Sequence, residues 1–282
     1  MGSGRKERNM KLLIAVDMEG ISGVVDWTHV DPNHSEYQRF RRIMTADVNA
    51  AIAGAARGGA DEILVSDGHA NARNILIEEL DSRAKLNSGS PSLFSMVQGV
   101  DSGIQAAFFV GYHAHMSTPL AILAHTWSSA KVSNVWLNGR LTGEIGLNAS
   151  MCGHYGVPVL MVTGDQAACT EAAEWIQDVQ VVPVKKASGR QAAECLPLQV
   201  AHQRIEETAE RAMHNLLEGK APAPLKTERP VKVVIEFLNT LQADSASIFP
   251  AISRLDGRRL EVTGEDMPAA YRAFRAAVTL AG

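Results

Sequence analysis

The sequence predicts an α/β fold, a three-layer α/β/α arrangement with a mostly parallel sheet, a hairpin and a smaller C-terminal α/β section. Three observations carry this. Short apolar runs of strand length alternate with longer stretches of helical spacing, the order that βαβ units produce. The first run, Lys11 to Val16, is apolar and β-branched near its end, as a buried strand would be. Carboxylates and imidazoles then gather where such runs end, the edge at which open α/β sheets bind their ligands.

Taken in order, Lys11 to Val16 is the first strand. Glu36 to Arg57 has helical spacing, with Phe40, Ile43, Met44, Val48, Ala51 and Ile52 on its apolar side, and Gly58-Gly59 ends it. Asp61 to Ser66 is a second strand, completing a βαβ unit with parallel strands and a right-handed crossover. Further strands are expected at Gln105 to Gly111, Ala121 to Trp127, Val132 to Leu137 and Val157 to Thr163. Asn138-Gly139 marks a tight turn into Arg140-Leu141-Thr142. Helices are expected over Glu144 to His154, Gln166 to Trp175 and Leu198 to Leu217. Pro222, Pro224 and Pro230 mark a linker, followed by a strand at Val231 to Phe237 and a terminal helix at Met267 to Leu280. The expected division is a main α/β domain over 10–225 and a section over 226–282 that completes it or forms a small lobe. Residues 1–9 are polar and precede Met10, which fits a native start. They read as a tag remnant or disordered extension.

The chain has 282 residues, 46% hydrophobic and 21% charged, an ordinary globular composition. A formal charge of -4 without a Lys/Arg stripe argues against nucleic acid. No apolar stretch approaches the ~20 residues of a membrane helix, and no apolar signal core is present, so a cytoplasmic protein is expected. Cys152, Cys169 and Cys195 are odd in number and lack CxxC spacing, which suits reduced thiols.

The chemistry concentrates in a few places. Asp17 and Glu19 lie two apart at a strand end, project to one face and precede Gly20, where the chain can turn. Two such carboxylates repel unless a cation or proton compensates them. His69 follows a strand and glycine in the same way, and His113 and His115 follow another strand. His125 sits inside an apolar run, and Glu144 opens a helix, where its charge also suits the dipole. Jointly they describe one cleft at the carboxyl edge of the sheet. A mixed Asp/Glu/His set without cysteine suits zinc, manganese or iron in hydrolytic work. A pair of such ions lies ~3.5–4 Å apart and brings a bound water to a pKa of about 7. That logic reaches metal-assisted hydrolysis without choosing the bond. A two-metal phosphohydrolase uses the same ligands, although no Gly-rich phosphate cradle or Arg cluster accompanies the motifs. A non-catalytic metal- or peptide-binding protein of a transport system is the other alternative.

Five motifs carry a resemblance that selects among these. Val16-Asp17-Met18-Glu19-Gly20-Ile21-Ser22-Gly23, Ser66-Asp67-Gly68-His69, Gly111-Tyr112-His113-Ala114, Ser117-Thr118-Pro119 and Gly143-Glu144-Ile145-Gly146-Leu147-Asn148 together resemble the zinc-dependent D-aminopeptidase family. The likeness runs from about Met10 to the C-terminus. It implies two zinc ions per chain, with Asp17 bridging them, Glu19 on one ion, and His69, His113 and Glu144 completing the set. It implies that His125 is catalytic and that His115 lies outside the ligands; Lys131 and Asn148 are candidates for residues behind the ligands. The implied reaction removes N-terminal residues, D-amino acids above all, from short peptides by attack of a metal-bound hydroxide. The implied setting is peptide transport, and the implied assembly is a homo-oligomer, a ring-shaped decamer.

Overall fold

The computed structural model describes residues 9–282. Residues 1–8 of the segment read as a tag or extension lie outside the described residues. The chain opens with β1 (Lys11–Val16), α1 (Tyr37–Arg57), β2 (Glu62–Asp67), β3 (Ala84–Asn87) and β4 (Ala106–Tyr112). A hairpin of β5 (Val132–Leu137) and β6 (Arg140–Thr142) leads into α2 (Glu144–His154). Then come β7 (Val159–Asp165), α3 (Gln166–Trp175), β8 (Gln180–Gly189), β9 (Ala192–Cys195) and α4 (Leu198–Leu217). The last section holds β10 (Val231–Phe237), α5 (Thr240–Ala246), β11 (Ile252–Arg254), β12 (Arg259–Gly264) and α6 (Met267–Leu280).

Seven strands form the first sheet in the order β3-β2-β1-β4-β7-β8-β9. Every pairing is parallel except β8 with β9. Strand order therefore reverses between β1 and β4, and such a switch point opens a crevice at the carboxyl ends of the strands. β4 and β7 are buried along their whole length, which is why they read as unbroken apolar runs. Alternate residues serve opposite faces. Leu12, Ile14 and Val16 pack with α1 and α4, while Leu13 and Ala15 pack with α2, α3 and α6.

The second sheet is antiparallel, in the order β11-β12-β10-β5-β6. β10 runs between the hairpin strand β5 and β12, so residues after 226 complete a sheet begun in the middle of the chain. Its inner side chains, Val135, Val233, Ile235 and Val262 among them, share a core with α2 and α6. α2 thus lies between two sheets, and its residues from Glu144 through Cys152 are all buried.

One expected strand is absent. Ala121 to Trp127 is irregular, with left-handed backbone at Leu123 and Trp127 (φ 48° and 66°). Its apolar residues are buried by loop packing, and the main chain bonds elsewhere: Ile122 N–H donates to Asp165 and Leu123 N–H to the Arg190 carbonyl. An apolar run reports burial, and here burial comes without a strand ladder. β3, β8, β9, β11, β12 and α5 were not expected. β8 carries Pro183 and two lysines, and α5 opens with a capping box between Asn239 and Gln242 that was legible, although the helix is short.

α1 and α4 meet at glycine. A Cβ at Gly54 would lie 2.1 Å from the Glu206 carbonyl oxygen. Alanine normally favours a helix over glycine by ~1 kcal/mol, but here the main chains would have to separate. Gly54→Ala is expected to destabilise the protein by ~1–3 kcal/mol net, read as a Tm lowered by ~2–4 °C per kcal/mol. A raised Tm would show that the two helices part without cost.

Candidate metal centre

Two glycines interlock the site's floor. Asp17 N–H continues the ladder by donating to the Val110 carbonyl (2.9 Å), and Gly20 N–H donates to the Gly111 carbonyl (2.8 Å). A Cβ at Gly20 would lie 1.9 Å from the Tyr112 carbonyl oxygen, and one at Gly111 would lie 2.3 Å from that of Asp17. Gly111 also has φ +73°. Only glycine lets the chain leaving β1 turn against the end of β4. That turn brings Asp17 and Glu19, 3% and 1% exposed, over the sheet edge.

His69 follows β2, His113 follows β4, and Glu144 is the first residue of α2. Each imidazole is oriented by a carbonyl. His69 Nε2 bonds the Val30 carbonyl (3.0 Å), His113 Nδ1 that of Ala114 (3.0 Å), and His125 Nδ1 that of Leu123 (2.9 Å). The opposite nitrogen of each ring then faces the carboxylates, the arrangement by which outer partners orient metal-binding histidines. His69 Nδ1 is 3.1 Å from Glu19 and 3.4 Å from Asp17 Oδ1. His113 Nε2 is 3.3 Å from both Asp17 Oδ2 and Glu144 Oε1. It is buried without a hydrogen-bond partner. His125 Nε2 lies 3.8 Å from both Glu19 and Glu144. Its ring stacks on His113 at 4.0 Å between centroids and meets the edge of Trp27.

Asp17 is therefore shared. One oxygen faces His69 and the other faces His113, so the cluster has two lobes joined by a single carboxylate. Ligand atoms of Asp17, Glu19 and His113 lie within 4.8 Å of one another, as do those of His113, His125 and Glu144. The donor set fits a metal: three imidazole nitrogens turned inward, three carboxylates, and an orphaned buried Nε2. By geometry alone His125 is within reach as a ligand too.

Charge supports the same reading. Burial pushes Asp17 upward, but the contacts from His113 and His69 win and hold it well below the carboxylate range. Burial opposes charge on His69 and His113, yet the facing carboxylates raise both well above the ordinary histidine value. His125 moves the other way: burial first, then the charge on His113, lower it. The carboxylates thus favour a proton on His69 and His113, while burial and His113 disfavour one on His125.

All six expected site residues meet in this cluster. His115 is apart from it, turned toward Ser117, with its N–H held by Glu171 (2.8 Å). Asn148 sits in a buried network beneath, donating to Tyr112 Oη and accepting from Tyr271 Oη. Lys131 is elsewhere, donating to the Val278 carbonyl at the end of α6. Three buried charged residues were not anticipated, and each holds main chain next to the site. Asp165 accepts from Ile122 and Ala168. Glu171, raised to about 7 by burial, accepts from His115 and Gly143 beside Glu144. Lys185, lowered to about 8 by burial, donates to three carbonyls of the Glu19 loop. Asp165 ends a strand as Asp17 does, so that signal was readable. Above the cluster opens a cleft of about 300 Å³, walled by Trp27, Met96, Trp127 and a group of serines, Ser90, Ser95, Ser128 and Ser129.

Fold and cluster together define a class: an α/β protein of hydrolase type, with a cleft of carboxylates and imidazoles that could hold metal at the switch point of its sheet. A sequence model of the D-aminopeptidase peptidase family matches residues 10–276, and the chain belongs to that family. A D-aminopeptidase of Bacillus subtilis (strain 168) is 40% identical over 273 residues, covering 96% of this chain and 98% of the relative. Among solved structures, the Zn-dependent D-aminopeptidase DppA from Bacillus subtilis, described as a self-compartmentalizing protease, matches with a TM-score of 0.92. It is 39% identical, and the match covers 96% of this chain and 98% of that one.

The raised histidines set a sign for pH. Their metal-free folded values lie above the unfolded value of ~6.5, so their stabilisation is complete below that pH and is lost as pH rises through the folded values. Metal competes for the same nitrogens. Zinc titrated into metal-free protein at neutral pH in weak buffer should release about two protons per chain, with apparent affinity rising with pH. A proton-silent titration would contradict the assignment of His69 and His113.

Proposed function

We propose that this chain is a zinc-dependent aminopeptidase that removes N-terminal residues, D-amino acids above all, from short peptides. The observation that carries the proposal is Asp17, whose two oxygens serve two lobes of one cluster. On that reading Asp17, Glu19, His69, His113 and Glu144 would hold two zinc ions between them, with Asp17 placed to serve both. When bound, such ions polarise a carbonyl and make water nucleophilic near neutral pH.

The chain's own groups supply the rest. His125 Nδ1 donates to Leu123, which leaves Nε2 unprotonated, neutral and open to the cleft. There it takes a proton from the attacking water and returns it to the departing amine, general acid–base work at one atom. Trp27 against its edge limits the ring's tilt. Trp127 N–H donates to Glu144 Oε1 (2.7 Å), so the cleft wall and the carboxylate move as one. A cleft of about 300 Å³ suits a few residues of peptide rather than a folded chain. None of the described residues lining it is arginine or lysine, which speaks against a phosphate ester as substrate. The name of DppA as self-compartmentalizing supports a homo-oligomer, for which a ring-shaped decamer is the proposed form.

Chelation should abolish hydrolysis of D-alanyl peptides, with zinc restoring it, and metal analysis should find about two ions per chain. Asp17→Ala should lose most of both. Intact peptide after long incubation of the zinc-loaded protein would leave only a binding function.

His125 and His113 separate catalysis from ligation. His125→Ala should keep its metal and its circular dichroism while losing roughly 10²–10⁴-fold in kcat, whereas His113→Ala should lose metal affinity. Metal loss in His125→Ala would make that residue a ligand. An unchanged kcat would return it to packing.

A further inference from the structure

β8 carries neighbouring lysines with opposite fates. Lys186 is exposed, and Lys185 is only 2% exposed. The strand's burial alternates until Val184 and Lys185, both of which are buried, and the pairing of β7 with β8 slips at the same place, between Gly164 and Asp165. An irregularity of this kind re-aims a side chain. Lys185 is turned inward by it, and among the described residues no carboxylate lies within ion-pair distance.

Its ammonium meets three carbonyl oxygens instead: Glu19 at 2.7 Å, Ile21 at 2.8 Å and Val24 at 2.6 Å. An ammonium has three donors, and all three are used. The acceptors belong to one short loop, whose main chain wraps around the nitrogen. Three carbonyl dipoles pointing at a common centre repel one another unless a cation sits there. The loop therefore holds this shape because Lys185 occupies its middle. The first of those carbonyls is Glu19's own, one residue before the Gly20 contact with β4 and three before Ser22, whose N–H is held by Asp47 (2.9 Å).

We propose that Lys185 is a positioning residue for Glu19: it fixes the main chain from which that carboxylate reaches toward His69, and so sets metal affinity on the Glu19 lobe of the centre. The proposal rests on Glu19 being a ligand. Lys185 touches neither substrate nor metal, and its role passes entirely through the loop. Outer groups that orient a ligand typically govern metal affinity by ~10–100-fold, the effect expected here for one lobe only.

The test compares the full-length protein with Lys185→Met, Lys185→Gln and Glu19→Gln. Zinc affinity is read by competition with a chromophoric chelator, folding by circular dichroism, and kcat and KM at limiting and saturating zinc. Both lysine variants should fold and bind one zinc ion normally and the other ~10–100-fold more weakly. Saturating zinc should then restore most of kcat at an unchanged KM, which a generally distorted site would not do. If Glu19→Gln loses one zinc ion while both lysine variants keep two at full affinity, the positioning role is overturned and the ligand assignment stands. If Glu19→Gln itself keeps both, the ligand assignment has failed. Equal weakening of both ions in the lysine variants, or failure of both to fold in zinc, would assign Lys185 to the fold and overturn the proposal.

Discussion

Three carboxylates, Asp17, Glu19 and Glu144, are buried around the same histidine nitrogens, and the rest of the structure answers to that fact. Buried like charges are tolerable only beside cations. The facing carboxylates strengthen the hold of His69 and His113 on a proton, and the same nitrogens are the ones a metal would take. The ring tautomers, the cramped glycines and the charged residues beneath the loops all act to keep this repulsive cluster in one arrangement. Were the side chains free to separate, the cheapest response would be to point the carboxylates at water. The scaffold withholds that choice.

It does so chiefly with main chain. Gly20 and Gly111 bring two strand ends closer than any side chain would permit. Three carbonyls choose which nitrogen each histidine presents. Asp165, Glu171 and Lys185 hold the loops bearing Ile122, Gly143 and Glu19 from below, each committing a buried ionisable group to main-chain partners. Burying such groups is costly, and a loop of apolar residues would pack more cheaply. The return is a fixed backbone, without which a metal site of this kind loosens. His125 stands apart electrostatically. It shares the cleft with two histidines that attract protons and is itself held neutral by burial and by the charge on His113.

The second sheet has a part in this as well. α2 presents Glu144 from its first turn, and it is buried between the two sheets. Gly146 lies against Trp175 and Gly153 against the Leu225 main chain, so the helix cannot shift without displacing both neighbours. The C-terminal section therefore bears on the site without contributing a residue to the cluster. Its terminal helix α6 packs against α2, the helix that presents Glu144.

Much of this was legible along the chain. Strand-end placement of Asp17, Glu19, His69 and His113 is a local pattern, because a residue's position relative to a buried run determines which edge it reaches. The parallel start of the sheet follows from the βαβ order, and the six residues that meet in the cluster could be singled out before any distance was known. Local pattern failed where burial was supplied by something other than a ladder. The apolar stretch before His125 resembles a strand in sequence, yet it is a loop tied to Asp165 and Arg190. Lys185 is invisible for the opposite reason: a lysine in a strand reads as solvated, and the carbonyl it needs is 166 positions away. The sequence by itself determined which groups stand at the edge of the sheet, since that depends on neighbours one or two residues distant. Only the tertiary structure decided which nitrogen, which oxygen and which backbone face the centre, because those choices are made by contacts that the chain brings together from its two ends.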